Sequence, residues 1–200
     1  MGGDVFMNKR CVAYSDEEYE HVVSLLRCGF VLDGRHVRPN NRIATIVVLE
    51  ATLGLRLCDI LDLRMTSFIK DGDRYRLDIV EKKTKKLRAF TVPLDVYSYI
   101  QGYAIENNID PSAKLFDISE RQVQRHLNLA IQKMGLPVKS YGSHSSRKLF
   151  ATKIYVDSNY NIALVQKLLQ HSSPNVTQRY IGIQQKDIEE ALERTKSHLV

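Results

Sequence analysis

The chain has 200 residues, 44% of them hydrophobic, and carries a formal charge of +6 with a pI near 9.2. This length and apolar share suit one ordinary globular core, exclude a low-complexity chain, and leave no run of eighteen apolar residues for a membrane span. The basic excess admits a polyanionic partner without requiring one. Cys11, Cys28 and Cys58 are odd in number and match neither a CxxC pair nor a disulfide framework, so they are expected to be reduced thiols in a cytoplasmic protein. The opening "MGGDVFMNKR" is too polar for a secretory signal.

In chain order, "SDEEYEHVVSLLRC" places Ser15 three residues before Glu18, a capping box for a helix that buries Val22, Val23 and Leu26. A polar connection through Pro39 follows. "NRIATIVVLEATLGLRLCDILDL" then predicts two helical runs, the first ended by Gly54. The period changes in "DRYRLDIVEKKTKKLRAFTVPL", where Tyr75, Leu77 and Ile79 alternate with polar residues and Leu87 to Val92 can return beside them. With "SFIKDGD" ahead of it, this predicts a small antiparallel sheet of about three strands. Helical patterns resume in "DVYSYIQGYAIENN", "ERQVQRHLNLAIQKMG", "SRKLFATKIYVD", "NIALVQKLLQ" and "KDIEEALERT". The expected fold class is therefore α+β and mostly helical. No repeat or long linker divides the chain.

Four places carry candidate chemistry. Arg56 lies between leucines, with Asp59 three residues on as an expected buttress; a guanidinium so held can present its fork to a phosphate, although a surface ion pair has the same spacing. Lys82, Lys83, Lys85 and Lys86 crowd a hairpin tip, where like charges repel unless an anion is near. In "SHSSRKLFAT", Ser143 or Ser145 can cap a helix whose first turn holds His144 and Arg147 on one face, at an end whose dipole favours anions. His171 ends an apolar run, Ser173 and Pro174 restart a helix, and Tyr180 lies along it. Each feature alone also suits a structural role.

Read in order, these motifs resemble the tyrosine recombinase, or phage integrase, family. "TLGLRLCDIL" is similar to its TGLRxxE/DxL, "KKTKKLRAFTVPL" to its KTGK hairpin and VPL strand, "HSSRKLFAT" to HxLRHTFAT, and "LLQHSSPNVTQRYIG" to LLGHxSxxTTxxYxH. Lys148, Gln170 and Ser146 depart from those patterns without removing a reactive group. The resemblance implies the catalytic domain of that family and a catalytic set of Arg56, Lys83, His144, Arg147, His171 and Tyr180, with Lys82, Lys85 and Lys86 on DNA.

What the resemblance implies is a site-specific recombinase of double-stranded DNA that joins Tyr180 to a 3′-phosphate, with no metal, ATP or other cofactor, and that is a monomer in solution and assembles on its site as a homo-oligomer, a tetramer, in the nucleoid. HxxR would repel a cation, and no HExxH is present. A topoisomerase-like nicking and closing enzyme, or a DNA-binding regulator that does not cut, are the alternatives. The expected layout is a tail or cloning remnant over 1–14, the catalytic domain over 15–182, and a helical tail over 183–200 whose thin stripe of Ile183, Ile188, Ala191 and Leu192 suits exchange between protomers. The chain is expected to be either a piece of a longer integrase that continues ahead of residue 1 or a minimal recombinase.

Overall fold

A computed structural model of the chain describes residues 11–182. Helix α1 (Asp16–Cys28) leads into a hairpin of β1 (Phe30–Leu32) and β2 (Arg35–Val37), followed by α2 (Asn41–Leu53) and a short α3 (Leu57–Ile60). A 3-10 turn (Met65–Ser67) opens a three-stranded sheet of β3 (Phe68–Asp71), β4 (Arg74–Val80) and β5 (Leu87–Val92). Five helices follow among the described residues: α4 (Leu94–Glu106), α5 (Glu120–Lys133), α6 (Ser143–Asp157), α7 (Ile162–Leu169) and α8 (Pro174–Ile181). The chain falls into two units, residues up to Phe150 and residues from Ala151 onward, divided inside α6.

The first unit is built around α2. Ile43, Ile46, Val47, Leu49 and Leu53 are all buried, so this helix is apolar over more than one face and is covered by α1 and α5. The expected capping box is present: Ser15 Oγ accepts the Glu18 N–H at 3.1 Å, and Glu18 Oε2 accepts the Ser15 N–H at 2.9 Å. Gly54 ends α2 in the left-handed region, with φ +58°, as its position in the sequence predicts.

The sheet runs β3-β4-β5, antiparallel throughout, with Leu77 opposite both Phe68 and Phe90. Leu77, Phe68 and Val92 bury one face of it. The connection through Pro39 is not plain coil: β1 and β2 pair antiparallel around Asp33 and Gly34, both at positive φ, the backbone that a two-residue hairpin turn requires. Residues 11–14 are also packed. Val12 donates its N–H to Ser140 O at 2.7 Å, and the Tyr14 ring stacks on Tyr141 with centroids 5.4 Å apart.

In the second unit, α7 packs on α8 and buries Val165 and Leu169. Gln170 closes α7 at φ +54°, a conformation that costs a side-chain-bearing residue about 1–2 kcal/mol. This is why the resembled pattern has glycine there. Ser173 caps α8 and Pro174 occupies its first turn, as expected. Cys11, Cys28 and Cys58 are free thiols. No described helix is long and apolar enough to cross a membrane. The expected exchangeable tail, 183–200, lies outside the described residues.

Candidate active site

A helix that ends leaves its last carbonyls without partners inside the helix, and cations near that end meet a favourable dipole. At the end of α2 two arginines fill this role. Gly54 O accepts from Arg147 Nη1 at 2.7 Å and from Arg88 Nη1 at 3.2 Å, while Leu53 O accepts from Arg88 Nη2 at 3.1 Å. Arg147 sits one turn into α6, and Arg88 faces inward from β5; both are 2% exposed.

Arg56 occupies the N-cap position of α3 and is therefore not inside a helix. This corrects the expected buttress. Asp59 does not hold Arg56; its Oδ1 instead accepts the Lys82 N–H at 2.8 Å. The partner of Arg56 is Glu81, whose Oε2 accepts from Arg56 Nη1 and from Thr84 Oγ1 (2.7 Å), and whose Oε1 accepts from Arg88 Nη1 (3.3 Å). Glu81 is fully buried. Burial works against its charge, but the hydrogen bonds from Thr84 and Arg56 and the charges of Arg56 and Arg88 prevail and hold its pKa below the usual carboxylate value. Burial and then the charge of Arg147 push Arg88 down to about 10.

The lysine hairpin closes on the same residue. Glu81 N–H donates to Lys86 O and Lys85 N–H donates to Glu81 O, both at 2.9 Å, with Lys85 at φ +57°. Lys83, Lys85 and Lys86 stand exposed at the tip. Lys82 is tied down: its Nζ lies 3.1 Å from Asp62, which also holds Lys114 at 2.8 Å. His144 lies at the exposed edge of this region, on the first turn of α6. Partial desolvation lowers its pKa most, followed by the positive charges of Arg147, Lys83, Arg56 and Lys148, so the neutral imidazole persists below the usual pH. These four charges all bear on His144. Arg56, Lys83 and the turn of α6 that bears His144 and Arg147, far apart in sequence, thus lie together in the first unit.

A further buried acid belongs to the same unit. Glu50 on α2 is 1% exposed, its Oε2 has no hydrogen-bond partner, and burial raises its pKa well above the carboxylate range against the opposing charge of Arg147.

The second unit brings His171 and Tyr180 together. Their rings meet edge to face with centroids 5.0 Å apart, and His171 Nδ1 lies 3.1 Å from Thr177 Oγ1 on α8. Backbone bonds fix the approach: His171 N–H donates to Gln166 O at 3.1 Å, and Gln166 Nε2 donates back to His171 O at 3.3 Å. A histidine at the end of one helix and a tyrosine seven residues into the next are thereby held as a pair.

Motif spacing did not single out Glu81, Arg88 or the carbonyl of Gly54. Glu81 precedes the lysine run and reads as one more charge of a solvated tip. The available signal for Arg88 was its inward register in an alternating strand, one residue after Leu87 and two before Phe90.

The chain matches the model of the phage integrase family over residues 38–187. It is 32% identical to "Probable integrase/recombinase YoeC" of Bacillus subtilis over 153 residues, 74% of this chain and 81% of that protein. It is 29% identical to the tyrosine recombinase XerC of Leptospira interrogans and 28% to XerA of Pyrococcus furiosus, spanning 50% and 53% of their lengths. The chain thus spans about half the length of these Xer relatives. In fold it is similar to the XerH recombinase solved with difH substrate, with a TM-score of 0.66 at 22% identity over 94% of this chain and 56% of that one. It is also similar to the catalytic domain of bacteriophage HP1 integrase, with a TM-score of 0.59 at 15% identity over 92% of this chain and 95% of that one.

Proposed function

Because the chain belongs to the phage integrase family, we propose that it is a site-specific recombinase that breaks and rejoins DNA through a covalent bond to Tyr180. The observation that carries this reading is the hydrogen-bonded set of Glu81, Arg88 and the Gly54 carbonyl, which ties together Arg56, Arg147 and the hairpin that bears Lys83.

Tyr180 Oη attacks a DNA phosphorus, the bond from phosphorus to the 5′-oxygen breaks, and a 3′-phosphotyrosyl bond forms. A phenol of pKa near 10 is ionised only about one part in a thousand at neutral pH, so it needs a base and a cationic setting. His144, kept neutral by its surroundings, takes the phenolic proton. Lys83 gives a proton to the departing 5′-oxygen. Arg56 and Arg147 grip the non-bridging oxygens, and removal of one such donor typically costs about 2.7–4 kcal/mol in the transition state. His171 donates a hydrogen bond to the same phosphate. Since the phosphodiester energy is kept in the covalent link, rejoining needs no ATP. Lys85 and Lys86 face the DNA backbone, and Lys82 contributes less because Asp62 holds it. Assembly as a tetramer on double-stranded DNA, with residues 183–200 docking on a neighbour, completes the proposal.

Incubation with a library of nicked duplexes of randomised core tests it, since a nick traps the cut strand. Protein-DNA adducts that survive denaturation are expected from the wild type, in EDTA as well as in Mg2+. Tyr180→Phe should yield none while binding DNA as well as the wild type. Adducts undiminished in that variant, or adducts that require Mg2+, refute the mechanism. Relaxation of supercoils by a monomer, without strand exchange, favours the topoisomerase reading.

A further inference from the structure

The carboxylate of Glu81 faces two ways. One oxygen takes the guanidinium of Arg56 and the hydroxyl of Thr84, the other takes Arg88, and the main chain of the same residue closes the lysine hairpin at both ends. Thr84 is the immediate neighbour of Lys83. A buried carboxylate in such a set is stabilised only while its partners stay in place, and loss of one leaves the others in a low-dielectric interior. The position of the hairpin and the position of Arg56 are therefore not independent.

We infer that Glu81 is a positioning residue that couples the lysine hairpin to Arg56, with Thr84 as the link to Lys83. This rests on the roles given above to Lys83 and Arg56. The coupling sets the leaving-group proton in register with the phosphate clamp: when Arg56 is held, Glu81 is held, and the Thr84 hydroxyl fixes the turn that carries Lys83. Arg88 anchors the assembly from within, by binding both Glu81 and the carbonyl that also receives Arg147. In the reaction, the phosphorus to 5′-oxygen bond breaks as a proton passes from Lys83 Nζ to that oxygen. Loss of the Thr84 hydroxyl alone frees Lys83 and slows this transfer, while Arg56 keeps its own bond to Glu81.

The test uses Thr84→Val, which keeps the shape of the side chain and removes the hydroxyl, on nicked duplexes recovered by covalent capture. Each duplex is made with oxygen and with sulfur at the 5′-bridging position, because a thiolate departs without needing a proton. Loss of a hydrogen bond to a charged group predicts a cleavage rate lower by about tenfold or more on the oxygen substrate. On the sulfur substrate Thr84→Val should equal the wild type, and Thr84→Ser should equal it on both. Glu81→Gln should be slowed on both substrates and only partly recovered by sulfur, since Arg56 is loosened as well. Wild-type rates for Thr84→Val on oxygen, or an equal defect on both substrates, overturn the coupling and leave the catalytic reading standing. A wild-type chain that forms no adduct with either substrate overturns both.

Discussion

Gly54→Ala probes how the buried arginines are held. Gly54 sits at φ +58°, where a residue with a Cβ is disfavoured by about 1–2 kcal/mol. The new Cβ also falls 2.3 Å from Cδ1 and 2.4 Å from Cε1 of the Phe150 ring, so the ring or the end of α2 must move. Overpacking of this kind typically costs about 1–3 kcal/mol, for a total of roughly 2–5 kcal/mol. In a chain of this size each kcal/mol moves Tm by about 2–4 °C, so the expected loss is on the order of 10 °C. Gly135 supplies the control. It has φ +72° with nothing within 4 Å of an added Cβ, so Gly135→Ala isolates the backbone cost from the clash. Thermal unfolding by circular dichroism should rank the three chains wild type, Gly135→Ala, Gly54→Ala. Adduct formation at 20 °C should fall in Gly54→Ala alone, because the displaced carbonyl is the acceptor of both Arg88 and Arg147. Equal melting temperatures for the two variants would refute the clash, and unchanged cleavage in Gly54→Ala would refute the role given to the carbonyl.

Three further outcomes are expected. Glu50 keeps its proton in the folded state to a higher pH than in the unfolded chain, where it is lost near 4.5, so its contribution to stability falls as pH rises above that value; Glu50→Gln should raise Tm at pH 7, and the gain should shrink toward pH 4 in a thermal-shift titration. The lowered pKa of His144 keeps the base form at pH values below the usual imidazole range; the acid limb of the cleavage rate should lie below pH 6.5 in the wild type and vanish in His144→Gln. Ser15→Ala removes the cap of α1 and should cost about 1 kcal/mol, a Tm lower by roughly 2–4 °C with cleavage unchanged.

Much of the fold was legible because local rules and burial agree along the chain. The Ser15 and Glu18 box, the alternation of Tyr75, Leu77 and Ile79, the stop at Gly54 and the restart at Ser173 and Pro174 each have a short-range cause, and each is found where the residues place it. The β1-β2 hairpin was missed because strands of three residues are too short to show alternation, although Asp33-Gly34 is a recognised turn pair. The site divides in the same way. His144 with Arg147, and His171 with Tyr180, are close in sequence and follow from helix geometry. The partner of Arg56 does not follow. Asp59 was the nearest acid by count, but Arg56 precedes its helix, and the acid that meets it arrives 25 residues later on a strand end folded beneath the hairpin. Burial of Glu81 and Arg88 is a product of that return, which no local period records.

The three free thiols differ in ways that matter to anyone attaching a probe. Cys28 is exposed at the end of α1, whereas burial raises the pKa of Cys11 and Cys58 and suppresses the thiolate that reacts. A maleimide dye at neutral pH should therefore mark Cys28 first, without mutagenesis. Its helix bears none of the residues assigned to the reaction, so single-molecule fluorescence of the otherwise native chain can follow it on DNA. Cys11 is the site to protect from overlabelling: its Sγ lies 3.2 Å from the hydroxyl of Ser145, immediately beside His144, and a dye there would wedge apart the first turn of α6.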